Sequence, residues 1–566
     1  MRLGRAWRVG LLASLVAWSA TTAAEQGAHV ASHPPGAAIA SGHALATEAG
    51  LEILREGGNA FDAAVAVSST LSVVEPISSG LGGGGFFLLH DGRTGKDVFL
   101  DARETAPGAA TATMFLDDKG NASRDLARSS ALAAGIPGEP AGFAHLAERY
   151  GRLPLANSLA PAIRIARGGF PLYPKLRGEI DRVRESLLKS PDAARIFLVN
   201  NATPPDGHRI RQPDLARTLE ALARKGTREF YTGELAHRLV DSVRAMGGIW
   251  TLEDLAGYRV VERAPLVTEY RGMRIVTSPP PSSGGVWLTD VFNMLSGYDV
   301  DKMDDLTRRH LIIECMRRAH RDRAEYLGDP DFVTMPLETL MSPQYAAGQR
   351  ASIRLDAATP SRSLPSNAVE FPRGTQTTHF AVLDADGNRV SGTITLNGWF
   401  GTGLVVPGTG VLLNNEMDDF ATRKAAPNQW ELVGAGANFI GPRKRPLSSM
   451  TPTFVESDRG MAILGAPGGS FIPTMVLLST LNWMKGADAQ AIVTAPRFHH
   501  QFSPDTVWAE SDAFTADERT KMEQMGHSFR PWPDTIGNMQ IIVWDYASGS
   551  VTAASDPRGA GASKVR

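Results

Sequence analysis

The stretch Gln376-Thr377-Thr378-His379-Phe380-Ala381-Val382-Leu383, then Asp384-Ala385-Asp386-Gly387-Asn388, then Arg389-Val390-Ser391-Gly392-Thr393-Ile394-Thr395-Leu396, decides how this chain folds. Two β-prone runs, Thr377 to Leu383 and Arg389 to Leu396, flank a turn whose glycine suits the left-handed position of a three-residue loop. With Ala385-Asp386-Gly387 as the loop, Asp384 pairs with Asn388, Val382 with Val390, Phe380 with Gly392 and Thr378 with Ile394. By the same count Thr377 lies opposite Thr395. Side chains alternate along a strand, so Phe380, Val382, Val390 and Ile394 share one face, while Thr377, His379, Thr393 and Thr395 share the other. Opposed residues have Cβ atoms about 5 Å apart, within reach of a hydroxyl-to-hydroxyl hydrogen bond.

Threonines are ordinary in strands. Thr377 differs in its setting: it opens a strand, faces a second hydroxyl, and follows a Pro-, Ser- and Ala-rich run from Asp356 to Gln376 without a periodic apolar face. So long an irregular connector inside a compact protein calls for a functional reason. An alcohol needs a base to become a nucleophile, and an α-amino group, with a pKa near 8, supplies one where an amide nitrogen cannot. If Thr377 is the nucleophile, the chain must be cut between Gln376 and Thr377 to create that base.

Outward from the hairpin, the chain mixes helices and strands. Leu45, Ala49, Ile53 and Leu54 recur at helical spacing, the pattern breaks at Gly57-Gly58, and Asn59 with Asp62 reads as the cap of a second helix. The run Gly82-Gly83-Gly84-Gly85 before the strand-like Phe86 to Leu89 suits close backbone passage; it lacks the Gly-Lys-Ser/Thr ending of a phosphate loop. Asp305 to Tyr326 reads as an amphipathic helix with Leu311, Ile312, Cys315, Met316 and Ala319 on one face, so Cys315 is a core residue. Arg2, Arg5 and Arg8 before an apolar stretch, then Thr22-Ala23-Ala24, read as an export signal over residues 1–24, with the mature chain starting near Glu25. A periplasmic or secreted protein is the expectation.

The 566 residues are 43% hydrophobic and 21% charged with a formal net charge of −2, which excludes a disordered chain and gives no footprint for nucleic acid. No later run reaches the 18 or so apolar residues of a membrane span. A single cysteine rules out an internal disulfide or a thiolate cluster. His499-His500 lacks the helical spacing of a zinc protease, and no Gly-x-Ser-x-Gly elbow is present, so neither a metal nor another cofactor is expected.

The motifs Thr375-Gln376-Thr377-Thr378-His379-Phe380, Thr393-Ile394-Thr395-Leu396-Asn397, Leu413-Asn414-Asn415-Glu416-Met417-Asp418-Asp419-Phe420, Arg445-Pro446-Leu447-Ser448-Ser449-Met450 and Ala466-Pro467-Gly468-Gly469-Ser470 occur in that order. Phe99-Leu100-Asp101-Ala102-Arg103-Glu104, Ser278 to Gly285, Tyr326 to Phe332 and Ala495 to Gln501 accompany them. Together they resemble the γ-glutamyltransferase family of N-terminal nucleophile hydrolases across nearly the whole chain. The resemblance implies an α+β fold, a four-layer αββα sandwich, formed jointly by a large subunit (25–376) and a small subunit (377–566) after autocatalytic cleavage. It implies transfer or hydrolysis of γ-glutamyl groups such as that of glutathione, to water or to an amino acid or peptide acceptor.

The same resemblance makes Thr377 the processing residue and nucleophile, Thr395 its hydrogen-bond partner, and the backbone of Gly468 and Gly469 the oxyanion hole. It assigns Arg103, Ser448 and Ser449 to the donor's α-carboxylate, and Asp419, Glu416 and Asn397 to its α-ammonium. Acylases of the same fold act on glutaryl groups, which lack that ammonium, so Asp419 and Glu416 favour γ-glutamyl over glutaryl or cephalosporin-type substrates. Trp430, in a lid segment from Lys424 to Gly436, stands where a tyrosine is common and leaves the acceptor open. Poly-γ-glutamate hydrolysis and a non-catalytic exported binding protein are the other readings.

Overall fold

The computed structural model describes residues 33–366, 376–421, 436–533 and 536–566. The expected export signal, the connector residues 367–375 and the lid segment with Trp430 up to residue 435 lie outside the described residues.

The hairpin forms with the register read from its turn. Strand Thr378–Leu383 pairs antiparallel with Arg389–Thr395, with Val382 opposite Val390, Phe380 opposite Gly392 and Thr378 opposite Ile394. Gly387 takes the left-handed conformation, φ 82°, and its N–H donates to the Asp384 carbonyl at 3.1 Å. Gly392 is required by its partner: a Cβ there would stand 2.3 Å from the Phe380 ring.

This hairpin occupies the middle of a seven-stranded sheet ordered Ala562–Val565, Ala38–Ser41, Thr378–Leu383, Arg389–Thr395, Gly84–Asp91, Lys96–Ala102 and Val261–Arg263. A second, six-stranded sheet runs Val551–Ser555, Gln540–Asp545, Gly460–Gly465, Thr453–Ser457, Met273–Thr277 and Leu266–Tyr270. The strand that follows Thr377 thus has Ala38–Ser41 on one side and Arg389–Thr395 on the other. A cut before Thr377 would leave both ladders intact, and both sheets combine strands from either side of that junction.

The two faces of the hairpin enter different cores. Phe380, Val382, Val390 and Ile394 pack under helix Ala60–Val74, in one apolar cluster with helices Ala44–Arg55 and Leu155–Gly168, which pack against it. Ala381 and Leu383, on the opposite face, pack with the second sheet, whose outer side is covered by helices Gly284–Leu295 and Ile472–Met484. The layers are therefore helix, sheet, sheet, helix, and full burial of each large apolar side chain stabilises this arrangement by roughly 1.5–3 kcal/mol.

The helix pair before the glycine run also matches its sequence signals. Asn59 accepts from Phe61 N–H and Asp62 N–H, and Asp62 accepts from Asn59 N–H at 3.0 Å, a reciprocal capping box. Helix Asp305–Tyr326 has the expected bounds but not the expected amphipathic character. Its polar side is buried too, because Glu314 pairs with Arg317 and Arg318 on the same helix. Cys315 is a buried core residue, and burial pushes its thiol well above the ordinary range.

Candidate active site

In the unbroken chain the Thr377 hydroxyl lies 3.3 Å from that of Thr395 and donates at 2.7 Å to the Gln376 carbonyl, the carbonyl of the peptide that joins the two residues. Thr395 Oγ1 approaches the same carbonyl at 3.3 Å. The Asn397 N–H donates to Thr395 Oγ1 at 2.8 Å, which occupies a lone pair and leaves the Thr395 proton for Thr377 or for Gln376. Asn397 achieves this with φ 71°, a left-handed conformation that asparagine tolerates better than most residues. The glycine run crowds against this pair: a Cβ on Gly83 would sit 2.0 Å from the Thr395 carbonyl oxygen.

Thr377, Thr395 and Asn397 open into a pocket that is also lined by Arg103, Glu416, Asp419, Ser448, Ser449 and Gly469. Residues spread over more than three hundred positions of sequence thus converge on one cavity. Gly468 stands one residue back from the lining. Gly468 and Gly469 have φ of 129° and 57°, both in the region where a side chain is strained. They lead through Gly469–Phe471 into helix Ile472–Met484, so the positive end of that helix faces the pocket, as an oxyanion requires.

The charged end of the pocket is self-paired. Arg103 donates through Nη1 to Glu416, through Nη2 to Asp419 at 2.6 Å, and through Nε to the Pro446 carbonyl at 3.3 Å. Burial weakens the hold of Arg103 on its proton, but Glu416, Asp419 and Glu104 outweigh it and hold the guanidinium more firmly protonated than usual. Burial raises all three carboxyls, Glu104 to about 7, with Arg103 opposing the rise. Three buried carboxyls thus gather around Arg103, and Glu416 and Asp419, which line the pocket, can accept from an incoming ammonium.

Ser448 and Ser449 are fixed by the Ser278 to Gly285 motif: Ser283 Oγ donates to the Ser448 carbonyl at 2.8 Å, and Ser448 N–H donates to the Pro281 carbonyl at 2.8 Å. Sequence reasoning did not single out Arg323, which also lines the pocket, or Glu104, which lies behind Arg103. Glu104 could have been found as the residue after Arg103 in a quoted motif; Arg323 carried no such signal.

His379 is structural. Its Nδ1 meets Thr393 Oγ1 at 2.8 Å, its ring packs where a Cβ on Gly465 would be 2.3 Å away, and burial lowers it to about 3. The pair His499-His500 is likewise engaged, His499 with Thr474 and Gln501 and His500 with Asp505. His310, Glu314 and His527 bring potential metal-ligating atoms within 4.8 Å of one another. These groups are taken up by protein partners: His310 bonds His527 at 2.8 Å and the Arg354 carbonyl at 2.7 Å, and Glu314 pairs with two arginines.

The family model described as gamma-glutamyltranspeptidase matches residues 46–565. The chain is 40% identical over 525 residues to a glutathione hydrolase proenzyme of Escherichia coli (strain K12), covering 92% of this chain and 90% of that one. Among solved structures, a cephalosporin acylase from Bacillus halodurans superposes with a TM-score of 0.82 at 30% identity, covering 94% of this chain and 96% of that chain. A Helicobacter pylori gamma-glutamyltranspeptidase chain matches with a TM-score of 0.55 at 38% identity, over 57% of this chain and 93% of its own length.

Proposed function

This chain belongs to the gamma-glutamyltranspeptidase family, and from that premise we propose that it is a self-processing γ-glutamyltransferase and glutathione hydrolase. One observation carries the reading: a single pocket joins the Thr377–Thr395 hydroxyl pair to the Arg103, Glu416 and Asp419 cluster.

In the proposed maturation, Thr377 Oγ1 attacks the Gln376 carbonyl carbon, the peptide nitrogen leaves as the α-amine of Thr377, and water hydrolyses the resulting ester. The amine so released is the base for catalysis. It takes the Thr377 hydroxyl proton as Oγ1 attacks the γ-carbonyl of a donor, while the Gly468 and Gly469 backbone stabilises the tetrahedral oxyanion. Each such donor contributes about 3 kcal/mol to lowering the barrier. Collapse expels the donor's amine portion and leaves a γ-glutamyl ester on Thr377, which water or an amino acid or peptide acceptor then removes. The sandwich keeps 25–376 and 377–566 together after the cut, and residues 1–24 direct export. A reporter fused behind residue 26 that stays in the cytoplasm counts against export.

A denaturing gel tests the first step. Wild-type protein should give two fragments, the smaller one starting at Thr377, while Thr377→Ala stays whole and turns nothing over. Fragment sequencing that begins elsewhere removes Thr377 from its role.

The acylase superposition supports a second reading, hydrolysis of glutaryl amides. Glu416 and Asp419 favour the γ-glutamyl donor, because a glutaryl group leaves those buried acids without an ammonium to meet. Turnover of γ-glutamyl anilide well above glutaryl anilide is the expected result; comparable rates favour the acylase reading.

A further inference from the structure

We infer that Arg323 is a second cation of the donor pocket and pairs with the α-carboxylate of the bound γ-glutamyl group, so that it sets specificity for donors bearing that carboxylate; this rests on the function proposed above.

Arg323 lines the pocket beside Arg103, Ser448 and Ser449 and is 4% exposed. It lies in the last turn of helix Asp305–Tyr326, where the negative end of the helix favours a cation. Its Nε donates at 3.1 Å to Ser283 Oγ, the hydroxyl that in turn donates to the Ser448 carbonyl and stands 3.5 Å from Ser449 Oγ. The guanidinium is therefore anchored to the same scaffold that presents the two serines.

The rest of the guanidinium is uncommitted. Among the described residues no carboxylate forms a salt bridge with Arg323, and neither Nη atom donates a hydrogen bond. Other buried arginines here are matched: Arg317 with Glu314 and Asp505, Arg318 with Glu314, Arg445 with Asp101, Arg497 with Asp556. Arg103, the cation that sequence reasoning gave to the carboxylate, already donates from all three nitrogens.

A buried cation without a carboxylate in direct contact is costly unless an anion arrives. Burial, opposed by Asp419 and reinforced by Arg103, lowers Arg323 to about 10, which still leaves it charged at neutral pH. A carboxylate matches the free fork of Nη1 and Nη2 in two parallel bonds. The pocket then offers Glu416 and Asp419 to the ammonium, and Arg323, beside Arg103 and the two serines, to the carboxylate.

The test uses three anilides: γ-glutamyl, with both charged groups; glutaryl, with the carboxylate alone; and 4-aminobutyryl, with the ammonium alone. Arg323→Met should lower kcat/KM about 30-fold or more for the first two, mainly through KM, and within about threefold for the third. Arg323→Lys keeps the charge without the fork and should fall between, with normal self-cleavage on a gel confirming the fold. An equal loss on all three donors, or no loss on the γ-glutamyl donor, overturns the inference. If wild-type protein ignores the γ-glutamyl donor but takes the glutaryl one, the proposed function fails while the Arg323 comparison is still read on the glutaryl donor.

Discussion

Thr377 and Thr395 hold their hydroxyls 3.3 Å apart, and both reach the carbonyl oxygen of Gln376. The second threonine does more than mark the register of the hairpin. With one lone pair occupied by the Asn397 N–H, its proton is directed at the nucleophile or at the carbonyl to be attacked.

Thr395→Ala should therefore slow self-cleavage and turnover together, by roughly tenfold or more, the worth of one well-placed hydrogen bond of about 1.5 kcal/mol. Thr395→Ser keeps the hydroxyl and should retain most of both. Time courses on a denaturing gel and kinetics on γ-glutamyl anilide read the two effects. An alanine variant that cleaves and turns over at the wild-type rate would show the contact to be incidental.

The hairpin was legible because its register is local: five turn residues set which side chains oppose each other over the next six positions. The pocket was legible only through the resemblance, since nothing in spacing links Arg103 to Asp419. Arg323 escaped because its role depends on where the end of a 22-residue helix lands, and helical periodicity treats it as one more charged residue. The same helix misled in character: it read as amphipathic, but Glu314, Arg317 and Arg318 are buried and paired. The resemblance also gave Arg103 and Asp419 separate partners on the substrate, whereas in the structure they pair with each other.

Glycine is tolerated for opposite reasons at two positions. A Cβ on Gly83 would meet the Thr395 carbonyl oxygen at 2.0 Å, backbone against which nothing can rotate away. Gly83→Ala should cost about 3 kcal/mol and impair self-cleavage by displacing the Thr395 strand. Gly178, inside helix Pro174–Leu187, has nothing within 4 Å of its Cβ position, so Gly178→Ala should stabilise by about 0.5–1 kcal/mol. Thermal melts compare them; a Gly83→Ala variant as stable as wild type would refute the close approach.

Glu75 accepts from Thr378 Oγ1 at 2.6 Å one residue past the nucleophile, and burial raises its carboxyl to about 7. A folded-state value above the unfolded 4.5 means that this group's contribution is fully present below about pH 4.5 and lost as pH rises through about 7. Glu75→Gln removes the ionisation and keeps an acceptor for Thr378. It should raise Tm at pH 8, by an amount that shrinks toward pH 4.5, with an upper bound on the order of 3 kcal/mol. A shift in Tm that is the same at both pH values would show that Glu75 does not titrate in this range.

Arg103 supports the fold as well as the site, because Glu416 and Asp419 are buried against it. Arg103→Met keeps much of the volume and leaves both acids without their cation, a loss of about 3–5 kcal/mol for a broken buried pair. Burial already raises the two carboxyls, and removing the nearest positive charge raises them further. A higher folded-state value means stability is retained in acid and lost as pH rises. The variant should therefore melt well below wild type at pH 8 and approach it near pH 5, where the acids are neutralised by protons instead of by guanidinium. Melting curves at the two pH values decide: an equal deficit at both would mean that Arg103 contributes packing alone, and that the acids have another source of compensation.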